Sequence, residues 1–231
     1  MFKKIFFAVI LLTAVIVGGT GCMRTKQIIT NEPKSNANEL ALAYMEEKYG
    51  ESFTFLAPWG NSMSGNREIL VTCESLPEEQ ILVQVENYKT DEAIYRDNYL
   101  AVKYQDEVID FFKTTAAEFF GDINVFYTPS KQCVSADLPE DAAFTAFYAD
   151  ASTIIPVMLE ISASRFSDAS AIESYLNTIS DTQGEISVSF VIVEDEVFGS
   201  LDRKGLSDLI TMKNAVYSAY GAIVNGAVQM D

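Results

Sequence analysis

The spacing of apolar residues changes at Gly121, and that change constrains the fold more than any other feature of the chain. From Asp91 to Phe120 the positions Ile94, Ala101, Tyr104, Val108, Phe111, Thr115 and Phe119 recur at threes, fours and one seven. At 1.5 Å per residue this spacing predicts one helix about 45 Å long, with an apolar stripe for a core. Gly121 stops it. Beyond that point strands and helices alternate. "DINVFYT" (122–128) reads as a strand, "EDAAFTAFYADA" (140–151) as a helix, and "TIIPVMLEIS" (153–162) as a strand. Pro156 inside the last of these argues for a sheet edge or a bulge. "DASAIESYLNTIS" (168–180) reads as a helix capped by Asp168, "EISVSFVIVED" (185–195) as a strand and "GLSDLITMKN" (205–214) as a short helix.

Upstream, "NELALAYMEEKYG" predicts a helix with Leu40, Tyr44 and Tyr49 near one face and Gly50 as its stop. Strands are expected at 52–57, 68–75 and 80–88, separated by loops with Pro58, Gly60, Gly65 and Pro77. The tail admits two readings. Leu206, Leu209, Val216, Tyr220, Ile223, Ala227 and Met230 fit one continuing helix, but Gly221 and Gly226 would each cost it ~1 kcal/mol. Val216 to Val224 also reads as a strand followed by an Asn225–Gly226 hairpin turn, and this reading is favoured. The element order predicts an α+β fold, with mixed or antiparallel sheets packed on helices. It suggests two halves, α-β-β-β-α over 38–121 and alternating β/α over 122–231.

The first residues read differently from the rest. Lys3 and Lys4 precede an apolar run from Ile5 to Val17, broken only by Thr13, and Gly18 to Gly21 give a small-residue exit. That is the three-part pattern of a secretory signal. The run is short for a membrane span, which needs ~20 apolar residues. "GGTGC" ends in Cys22, and here the chain resembles bacterial lipoproteins, in which a small-residue lipobox precedes a cysteine. The resemblance implies diacylglycerol on the Cys22 sulfur and cleavage before it. It makes 1–21 a signal peptide and gives a protein anchored by acyl chains, such as palmitate, on the extracytoplasmic face of the cell membrane. Gly19 stands where that family usually has an aliphatic residue, and Gly19 and Gly21 would also suit ordinary signal peptidase. Residues 22–37 then read as a lipidated polar tether containing Pro33. The body looks like uncharacterised lipoproteins of Gram-positive bacteria.

Charge and missing chemistry narrow the function. The chain has 33 acidic and 16 basic residues, a formal charge of −17. A phosphate backbone needs a basic footprint, so nucleic acid is disfavoured as a partner. No histidine is present, which removes Ser-His-Asp and Cys-His catalysis and histidine zinc sites. No nucleotide cradle, Ser-x-x-Lys or calcium loop occurs, and "GNSMSGN" (60–66) lacks the second glycine of a nucleophile elbow. No cofactor, metal site or catalytic residue is signalled. Adjacent carboxylates such as Glu46–Glu47, Glu78–Glu79 and Glu194–Asp195–Glu196 read as a solvated acidic face. Trp59, the one tryptophan, falls in "APWGNSMSGN", a stretch expected to loop between strands, and is the candidate ligand contact. Cys73 and Cys133 are expected as free thiols, Cys73 being a small hydrophobe within a strand. The expectation is a lipid-anchored, non-enzymatic binding or structural module of the cell envelope. Its partner would be an envelope protein, peptide or glycan; the alternative is an envelope enzyme using carboxylates, such as a carbohydrate hydrolase.

Overall fold

A computed structural model describes residues 37–60, 66–90, 92–130, 138, 141–200 and 215–230. Cys22, Cys133 and the helix expected at 205–214 lie outside these residues. The first helix, α1 (Ala37–Tyr49), leads into the strands β1 (Phe53–Trp59), β2 (Arg67–Cys73), β3 (Ile81–Glu86) and β4 (Ile94–Asp97). These four make an antiparallel sheet in the order β1-β2-β3-β4. Two helices follow, α2 (Tyr99–Lys103) and α3 (Gln105–Phe120). The remaining elements are β5 (Ile123–Tyr127), α4 (Phe144–Ala149), β6 (Ile154–Ser162), α5 (Ala169–Thr178), β7 (Glu185–Val193), β8 (Ala215–Val224) and β9 (Ala227–Met230). Their strands form a second sheet in the order β5-β6-β7-β8-β9. Only β6 and β7 are parallel, and the α5 crossover is the connection that a parallel pair requires. The fold is α+β, with one antiparallel and one mixed sheet.

The sheets divide at Gly121, where the chain takes φ 72° to leave α3. Beneath that division lies shared packing. Phe120 of α3, Tyr175 of α5 and Phe190 of β7 meet edge to face at 5.8–6.2 Å between ring centres. One continuous cluster of buried side chains runs from Ala41 through Phe112 and Phe147 to Ile223.

Two expectations about the helices fail in instructive ways. The single long helix over 91–120 is instead a strand, a short helix and a long helix. Residues 94–97 pair with β3, and Asp97 accepts the Tyr99 amide at 3.0 Å, so the chain turns before it coils. Within α3 the buried line is Val108, Phe112, Ala116 and Phe120, while Phe111, Thr115 and Phe119 lie beside it and are half-buried. The first helix likewise buries Ala37, Ala41, Met45 and Tyr49 rather than the face through Leu40. Pro156 meets its expectation locally: β6 is an interior strand, but β5 pairs with it only up to Val157, so at Pro156 the strand has the single neighbour β7 and an open edge on the other side.

The tail is a hairpin. Asn225 and Gly226 have φ 50° and 75°, the paired positive angles of a type I′ turn, between β8 and β9. Cys73 is a buried free thiol.

Candidate functional site

Trp59 owes its position to an extra residue in its strand. Phe53 pairs with Cys73 and Phe55 with Val71, on the face that packs into the core. Regular alternation would send Trp59 to that same face, since side chains repeat every second residue. The register shifts between Phe55 and Ala57, so Leu56 bulges and Trp59 comes to lie opposite Glu68, on the other face. Trp59 is therefore the last residue of β1 rather than part of a loop. Gly60 follows at φ 65° and ends the strand.

On that outer face Leu70 of β2 is paired with Leu82 of β3. Together with Trp59 they form part of a groove of about 290 Å³ whose other walls are Val102 of α2 and Pro129 after β5. Its polar lining is Glu78, Glu79, Gln80, Asn98 and Thr128. Small-molecule sites usually span ~300–1,000 Å³, so this groove suits one ring or side chain at a time.

Asn98 holds the groove together. Its side-chain oxygen accepts the Leu82 amide at 2.7 Å, and its amide group donates to the Ser130 carbonyl at 2.9 Å. It is 3% exposed, so one buried side chain fixes the stretch after β5 against β3. The opposite rim is a turn. Thr72 donates its hydroxyl to the Leu76 carbonyl at 2.9 Å, and the Glu79 amide reaches the same oxygen at 3.2 Å. Glu78 is exposed and Glu79 half-exposed, giving the rim a negative charge.

A separate polar network lies under α1. Asp97 accepts from the Tyr44 hydroxyl at 2.8 Å, the Tyr49 hydroxyl at 2.6 Å and Lys48 Nζ at 2.8 Å. Burial, then the Asp97 charge, pushes the Tyr49 phenol far above its ordinary value. Nearby, Tyr99 donates to Glu51 at 2.7 Å and Ser75 donates to the same carboxylate at 2.9 Å. Burial works to raise the Glu51 pKa, but the hydrogen bonds from Tyr99 and Ser75 outweigh it and hold the carboxyl below its usual range. Burial raises the Cys73 thiol, and the Glu51 charge adds to it. These groups are satisfied by one another, which is the pattern of a structural network.

Two other features bear on chemistry. An apolar hollow of about 440 Å³ is lined by Phe111, Phe144, Tyr148 and Ile179, whose first three rings pack on one another at 4.7–6.1 Å. Glu160 of β6 is fully buried, and one of its carboxylate oxygens has no hydrogen-bond partner; the other accepts from Asn124 at 2.7 Å and from the Gly199 amide at 3.3 Å. Among the described residues no helix is long and apolar enough to cross a membrane.

The structure thus brings Trp59, the sequence-derived contact, together with the Glu78–Glu79 pair. Asn98, Leu70 and Leu82 carry no signal of a site in the sequence. Asn98 falls within the stretch 91–120 that reads as one helix, and only the strand at 94–97 reveals its role. No protein-family model matches the chain, and a search of curated proteins finds no match. Among solved structures, the chain is similar to a DUF5037 family protein from Ruminococcus gnavus. That similarity is at 12% identity over 83% of this chain and 92% of the other, with a TM-score of 0.39.

Proposed function

We propose that this chain is a lipid-anchored, extracytoplasmic binding protein of the cell envelope, and that the Trp59 groove is its contact for a glycan. The signal-like residues 1–22 support the address, with Cys22 as the lipid site. One observation carries the binding reading: a strand bulge turns the chain's single tryptophan to the outer face of its sheet, where it lines one groove with Leu70, Leu82 and a rim of planar polar side chains. An indole face takes the C–H surface of a sugar ring, while carboxylate and amide groups take pairs of hydroxyls. The net charge of −17 and the glutamate rim repel anionic polymers and favour a neutral sugar. The two rim carboxylates come from one turn, which suits holding a ligand more than cleaving one.

The lone tryptophan makes the test direct. Titration of the protein with chitohexaose should shift Trp59 emission saturably, and Glu79→Gln with Gln80→Ala should weaken the response. A response to a cationic peptide but not to the sugar would replace the glycan by a peptide ligand. An emission unchanged by both would end the groove's role. Intact mass of the protein from its own envelope should show diacylglycerol on a chain beginning at Cys22; a mature chain without lipid would remove the anchor.

A further inference from the structure

We infer that the open edge of β8 is a self-association surface, at which a second copy of this chain adds its own β8 antiparallel to the first. β8 runs from Ala215 to Val224 and pairs along its length with β7, but on its other side β9 covers only Gly221–Val224. Among the described residues, Ala215 to Tyr220 therefore have a strand neighbour on one side only. Backbone groups along that edge have hydrogen bonds to offer to another strand.

The side chains are those of a surface meant to be covered. Six large apolar residues stand out as exposed among the described residues, and three of them are Val216, Tyr217 and Tyr220, at 55%, 39% and 41%. Tyr217 is stacked on Phe166 at 5.1 Å, so an aromatic pair flanks the edge. Exposed edges are ordinarily guarded by lysine, proline or a bulge. Here the whole hairpin from Ala215 to Met230 contains no charged residue and no proline. A register shift opposite Ile192–Val193 makes Val216 a bulge, but Tyr217 to Tyr220 remain in regular pairing with β7.

The choice of occupant follows from charge. Two copies of a chain with a formal charge of −17 repel across almost any pair of surfaces. Residues 215–230 are uncharged, so the described hairpin itself brings no like charge to the contact. A two-fold axis through Ser218, normal to the sheet, gives antiparallel pairing with Tyr217 of one copy opposite Ala219 of the other. The contact is isologous and closes as a dimer, joining two five-stranded sheets into one of ten.

The test uses the full chain in mild detergent. Sedimentation should show a dimer populated at roughly 100 µM, since a contact this small is weak. Ser218→Lys places two ammonium groups against each other at the axis and should weaken association at least ~10-fold. Its thermal melt at low concentration should match the parent. Ser218→Cys supplies a second readout independent of that melt: under mild oxidant its thiol should form a 218-to-218 disulfide between copies, identified by peptide mapping. A parent that sediments as a monomer at 100 µM, or oxidation that yields no 218-to-218 bond, overturns the proposal. So does a dimer unaffected by Ser218→Lys.

Discussion

Lys48 and Asp97 meet at 2.8 Å beneath α1, with side chains 11% and 0% exposed. Asp97 also receives the Tyr44 and Tyr49 hydroxyls and the Tyr99 amide, so the last residue of β4 is tied to the first helix by three side chains and to α2 by the backbone. Losing the carboxylate would remove the acceptor that all of these donors share, leaving Lys48 its contact with the Tyr44 hydroxyl at 3.0 Å, whereas losing Lys48 would leave Asp97 with three donors. Asp97→Ala is therefore expected to cost about 3–5 kcal/mol, the range for a broken buried pair. Lys48→Met should cost clearly less. Urea unfolding of both variants checks the order, and a larger loss for Lys48→Met would refute this account of the network.

Asn98 does for the groove what Asp97 does for the helix. Asn98→Ala removes the side-chain partner of the buried Leu82 amide and of the half-buried Ser130 carbonyl, at about 1–3 kcal/mol in total, most of it from the buried bond. Part of the loss is relieved if water enters as residues 128–130 move away. The expected signature is a red-shifted Trp59 emission in a protein that still melts cooperatively. Unchanged emission would mean that Asn98 does not shape the groove.

How far the sequence reveals this architecture depends on where each residue's partners lie. β7 and the Asn225–Gly226 turn are legible because alternation and turn chemistry are local; likewise Asp168 caps α5 by accepting the Ser170 amide at 2.8 Å, as its position before the helix implies. The strand at 94–97 is hidden because its four residues fit a helical stripe equally well, and pairing with β3 decides between the two. Trp59 is half legible. Its neighbours mark it as a surface aromatic, but the bulge at Leu56 that turns it outward leaves no trace in a sequence where Phe53, Phe55, Ala57 and Trp59 alternate without a break. Asn98 is not legible at all, since its value lies in two backbone groups 16 and 32 residues away.

Buried tyrosines set the alkaline limit of stability. Burial raises Tyr127, Tyr148 and Tyr175 well above the ordinary value of 10.0, and burial followed by hydrogen bonding to Glu51 does the same for Tyr99. A raised folded-state pKa gives stability that is whole below pH 10.0 and is lost as the pH climbs towards the folded value. The protein is expected to lose stability from about pH 10 upward. Phenolate absorbance at these sites should appear only together with loss of near-ultraviolet circular dichroism. Glu51 acts in the opposite sense: its lowered pKa gives stability present above the ordinary carboxylate range and lost as pH falls through its folded value. Full phenolate titration in a protein that remains folded would contradict the alkaline prediction.

The final prediction concerns a glycine whose hydrogen is required by a neighbour. Gly221 lies in β8 opposite Met230, and a Cβ built there would come within 2.3 Å of Leu176 Cδ1 and 3.2 Å of the Met230 sulfur. Met230 is 38% exposed and has room to move, but Leu176 of α5 is fully buried. Gly221→Ala therefore pushes α5 away from the sheet or forces Leu176 off its rotamer, at about 1–3 kcal/mol for an overpacked core. Leu176→Ala alone should cost about 2–5 kcal/mol through the cavity it leaves. Combined, the two changes exchange volume across one contact, so the double variant should be more stable than the sum of the single losses by about 0.5–3 kcal/mol. Denaturant unfolding of all four proteins measures that coupling. Additive losses would show that Gly221 and Leu176 do not limit each other, and that the glycine serves the strand for another reason.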